Sequence, residues 1–85
     1  MKNTTLAKKQ ATLEIVTYIA DELDWKYNAL KQNAESAKEA IANLLEVDEQ
    51  ERDTATLDCE RKSLDIYQLK IDAIEKIMDA LVKMV

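Results

Sequence analysis

The chain has 85 residues and a net charge of −5, from 12 basic and 17 acidic side chains, and it contains no Gly, Pro, His or Phe. That composition excludes histidine-based acid–base catalysis, histidine zinc sites and glycine-rich nucleotide loops. It leaves one all-α domain, residues 1–85, with a modest core, because helix formers dominate and the usual material for hairpin turns is missing.

The first ten residues, MKNTTLAKKQ, lack an apolar signal core, and the apolar run IVTYIA at 15–20 is too short to span a bilayer. With a lone Cys59 that cannot close an intrachain disulfide, the expected setting is cytoplasmic and away from the membrane.

From Leu13, alternating steps of three and four residues give Leu13, Val16, Ala20, Leu23, Tyr27, Leu30, Ala34, Ala37, Ile41 and Leu44. None is a large polar side chain. This is the stripe of a helix seated against another at a shallow angle, and it predicts a first helix over about 4–47. Leu6 lies one heptad earlier, with Lys9 between them on the same stripe. Asn33 followed by Ser36 and Glu39 offers an alternative: a helix stop and a capping box near residues 32–36, giving a three-helix bundle. The unbroken stripe through Asn33 favours the longer helix.

Next comes EVDEQERDTATLD, residues 46–58, with six carboxylates and one arginine and no large apolar residue between Val47 and Leu57. A second stripe, read backwards from the end, runs Val85, Leu81, Met78, Ile74, Ile71, Tyr67, Leu64, Glu60 and Leu57, out of phase with the first. A phase slip at an apolar gap marks a reversal of chain direction. The turn is therefore expected at about 47–55 and the second helix at about 55–84. Asp48 with Glu51 has capping-box spacing, and Thr54 or Thr56 offers a later start.

Folding about that turn sets Leu44 opposite Leu57, Ala37 opposite Leu64, Ala34 opposite Tyr67, Leu30 opposite Ile71, Tyr27 opposite Ile74, Leu23 opposite Met78 and Ala20 opposite Leu81. Small residues meet large ones at several layers, as dense packing requires. Glu60 on the seam has Lys38 as a plausible neighbour across the hairpin.

Apolar residues remain over. Ile66, Leu69, Ala73, Ile77, Ala80 and Met84 form a second row on the later helix; Ile15, Tyr18, Ile19 and Trp25 lie off the seam of the earlier one. Leu6 and Leu13 overhang the end of the second helix. Large contiguous apolar surface marks an interface, so two hairpins are expected to pair as a homodimeric four-helix bundle. Leu6, Leu13, Ile15, Ile19, Ile66, Leu69, Ile77 and Met84 are the candidate self-association residues. Tyr18 and Trp25 are candidate anchors for another protein.

The acids sit almost wholly in the second half. Residues 1–45 carry six acids and six bases, residues 46–85 eleven acids and six bases. That balance excludes direct nucleic-acid binding, which needs clustered Lys and Arg. Glu46, Asp48, Glu49, Glu51 and Asp53 are instead candidates for docking a basic protein surface, or for capping and solvating a turn. They lack the glycine and the spacing of a calcium loop, and Asp58 and Glu60 beside Cys59 disfavour its thiolate. No catalytic residue, metal site or cofactor is expected. The function expected is a small interaction or adaptor protein acting by self-association. The alternative is an acidic inhibitor of phage or mobile-element type that occupies a basic site on a nucleic-acid enzyme.

Overall fold

The computed structural model describes residues 2–85, with side chains from Thr4 onward. Two helices form an antiparallel hairpin: α1, Lys2–Glu46, and α2, Thr54–Lys83. The hairpin is a rod of 74 × 15 × 14 Å. Helix boundaries fall within two residues of those read from the stripes. The three-helix alternative does not occur: α1 runs unbroken through 32–36, because its seam residues stay in register against α2 and Ala34 and Ala37 are among the most buried in the chain.

The seam is the core. Leu30, Ala34, Ile71 and Ile74 form its buried centre, with Leu23, Tyr27, Leu64, Tyr67 and Met78 packed around them. Val16, Ala37, Leu57 and Leu81 extend it toward the two ends. Each buried aliphatic side chain contributes about 1.5–3 kcal/mol. The alanines at 34 and 37 let the axes approach, so the larger residues of α2 seat against α1. Tyr27 donates its hydroxyl proton to Glu75 Oε1 at 2.9 Å, which fixes the register within a residue of the expected Tyr27–Ile74 pairing.

The chain reverses in residues 47–53 with no residue at positive φ among those described. A helix commonly ends on a left-handed glycine that satisfies its last carbonyls. Here Arg52 does that work: its guanidinium donates to the carbonyls of Leu45 at 3.2 Å and Val47 at 3.1 Å. One correction belongs here. Asp48 is not the helix cap; its carbonyl only accepts from Glu51 N–H inside the turn. Asp53 is the cap, accepting the Thr56 N–H at 3.0 Å and the Thr56 hydroxyl at 2.6 Å. The later start wins because Thr56 supplies both a backbone and a hydroxyl donor to one carboxylate, and because Leu57 must enter the seam.

Candidate functional site

The seam divides the hairpin into two long flanks, and their chemistry differs. One flank carries a groove lined by Tyr27, Lys31, Glu35, Lys38, Gln68, Asp72 and Glu75. Lys38 pairs with Glu35 at 3.3 Å on this side and not with Glu60, a second correction: the partner one helical turn away needs no reach across the hairpin. Lys31 Nζ sits 5.0 Å from the Tyr27 ring centre. Every seventh residue of α2 on this flank is an aspartate, at Asp58, Asp65, Asp72 and Asp79.

The opposite flank is almost uncharged. Near the turn it is lined by Asn33, Ser36, Ala40 and Ser63 around the seam residues Ala37, Glu60 and Tyr67. Near the open end it becomes a groove of about 400 Å³ formed by Ala11, Thr12, Ile15, Val16, Ile19, Leu81 and Met84. Steps of three, four and seven residues from these positions place Cys59, Ile66, Ala73, Ile77 and Ala80 of α2 on the same side, with Ala29 and Asn43 of α1. Between Thr12 and Met84, the charged residues on this surface are Glu22, Lys26 and Lys70, with Glu60 at its seam edge. Ile15 is 61% exposed, Ile66 49% and Ile77 47%. These are large apolar side chains held in water on one continuous face.

The candidate residues from the sequence thus separate into four places. Ile15, Ile19, Ile66, Ile77 and Met84 come together on the uncharged flank. Leu69 lies on the outer edge of α2, and Tyr18 and Trp25 on the outer edge of α1, half a turn from the seam and all well exposed. Leu6 and Leu13 are exposed on the part of α1 that runs past the end of α2.

Glu46, Asp48, Glu49 and Glu51 are exposed at the turn; among the described residues none of them has an ion-pair partner, the pair Lys38–Glu35 being the one formed. Asp53 is engaged in its cap. The Thr56 hydroxyl, and after it the Thr56 N–H, holds the Asp53 carboxyl below its ordinary pKa of 3.8. Sequence reasoning missed Arg52, whose signal was its position as the sole base in the acidic run. It also missed the small polar part of the flank, whose signal was a lack of charge at recurring positions.

Among the described residues no three His, Cys, Asp or Glu side chains gather as a metal site, and no helix is long and apolar enough to cross a membrane. No family model matches the chain, and neither the curated proteins nor the solved structures contain a match to it.

Proposed function

We propose that the chain is a non-enzymatic helical interaction module that works as a homodimer, two hairpins closing into a four-helix bundle. The observation that carries this is the uncharged flank, with Ile15, Ile66 and Ile77 about half exposed on one side of a rod that is heavily charged on the other. The surface area agrees. The chain exposes 6923 Å², against about 5,100 Å² for a compact monomer of its mass by the surface-to-mass relation. A standard stable interface removes about 800 Å² from each partner, less than that excess. Light scattering over a wide concentration range tests it. A mass of about 19 kDa, twice the 9.7 kDa of the chain, is expected; a helical monomer at every concentration refutes the reading.

A second reading rests on the acids at the turn that form no ion pair among the described residues: an inhibitor whose Glu46, Asp48, Glu49 and Glu51 occupy a basic surface of a nucleic-acid enzyme. It predicts that neutralising these four abolishes capture of such an enzyme while helicity is unchanged. Tyr18 and Trp25, on the edge that a face-to-face dimer leaves open, are the residues free to anchor a further protein in either case.

A further inference from the structure

We infer that the two copies lie face to face on their uncharged flanks with their turns at opposite ends, so that the acidic turns are kept apart and the overhang of each copy lies along the start of α2 of the other. This rests on the homodimer reading above and adds its orientation. A two-fold dimer of such rods has two choices: turns together or turns apart. The flank alone does not decide, since in both arrangements each helix meets an antiparallel neighbour. The charge along the rod does decide. Its first thirteen residues carry three lysines and no acid, whereas residues 46–60 carry seven acids against Arg52. Turns together would set the two acidic ends side by side within about a Debye length of 8–10 Å. Turns apart keeps the acidic ends away from each other and sets Lys8 of each copy within one residue of the level of Glu60 of the other; like-charge juxtaposition is what suppresses the wrong arrangement of an interface.

Two further features agree with that choice. With the rods fully overlapped and reversed, the start of α1 in one copy lies level with its end in the other. Glu22 then falls level with Lys26 of the other copy, and Lys26 with its Glu22, so the charges that α1 places on the flank pair reciprocally. The exposed Leu13 of the overhang falls level with Ile66 of the other copy, and Leu6 with Cys59, where α2 has no second neighbour of its own. One arrangement therefore covers the overhang and the flank and keeps the two acidic turns apart.

The test is a spin–spin distance in the full chain carrying one nitroxide at residue 62, on the outer edge of α2, as Lys62→Cys with Cys59→Ser. At 1.5 Å per residue and axes about 8–10 Å apart, turns at opposite ends place the two labels about 45–50 Å apart. Turns together place them about 25 Å apart. The long distance supports the proposal. A short distance in a sample whose mass is dimeric overturns the orientation and leaves the dimer standing. A monomeric mass with no dipolar modulation overturns the dimer and the orientation with it. Helicity and mass of the labelled variant are compared with those of the unmodified chain, so a labelling defect shows itself as a change in those two.

Discussion

The two flanks of the hairpin are made by the same two helices, a short rotation apart around each seam, and they have been given opposite tasks. The flank of Lys31, Glu35, Asp72 and Glu75 is dense in charge and, among the described residues, carries the Lys38–Glu35 ion pair and the Tyr27–Glu75 hydrogen bond across the hairpin. The flank of Ile15, Ile19, Ile66 and Ile77 carries neither, and keeps its apolar side chains exposed. The difference teaches where this rod can tolerate a neighbour. Covering the charged side would strip water from many ionised groups at a cost of several kcal/mol each, while covering the other side removes apolar surface from water at about 25 cal/mol per Å².

That contrast can be broken most directly by placing a charge at its centre. Ile77→Lys is expected to weaken self-association by more than about a hundredfold, since an unpaired buried charge costs several kcal/mol. Asp72→Lys on the opposite flank should leave the mass at any concentration unchanged. Sedimentation or light scattering reads both.

A smaller effect is expected along the rod. Lys8→Glu with Lys9→Glu should weaken the dimer about tenfold at low salt, with the loss shrinking as salt screens it over a shorter Debye length. Combining Lys8→Glu with Glu60→Lys should restore affinity, and no restoration would show that the overhang and the start of α2 do not meet.

The turn sets the scale below that. Arg52→Ala should destabilise the hairpin by about 1 kcal/mol in denaturant titration, by freeing the carbonyls of Leu45 and Val47.

At the neighbouring cap, Asp53→Ala should lower Tm by a few degrees at neutral pH, and Asp53→Asn by less, because asparagine also caps. The sign with pH follows from the lowered carboxyl pKa. The ionised cap adds stability that is complete above the ordinary value of 3.8, and loses it as pH falls through the folded-state pKa beneath that value. The gap between the native chain and Asp53→Asn should therefore close in acid.

The smallest change is Tyr27→Phe, which removes the exposed hydrogen bond to Glu75. It should cost about 0.5 kcal/mol of folding stability and leave self-association alone, because the bond lies on the charged flank.

Much of the fold was legible before any coordinates. The two stripes named every residue of the central core, from Leu30 and Ala34 on one helix to Ile71 and Ile74 on the other, and the slip between them located the turn within a residue or two at either side. This works because a heptad stripe is a local property: residues three and four apart share a helix face whatever the rest of the chain does.

The candidate site was less legible. The stripes showed that apolar residues were left over and separated Tyr18 and Trp25 from Ile15 and Ile19, but put Leu69 in one row with Ile66 and Ile77, whereas it lies on the outer edge of α2. For the cap, local spacing offered Asp48 with Glu51 or a later start at Thr54 or Thr56, and Asp53 has the better donors once the chain has turned. The sequence by itself determined which residues face the seam, where the chain reverses and that apolar surface remains. Only the tertiary structure decided which outer rows of α1 and α2 lie side by side, and so that Ile15 and Ile19 share an uncharged face with Ile77 and Met84. The reason is geometric: a helix fixes the angle between its own residues, but the angle between two helices exists only after the hairpin has closed.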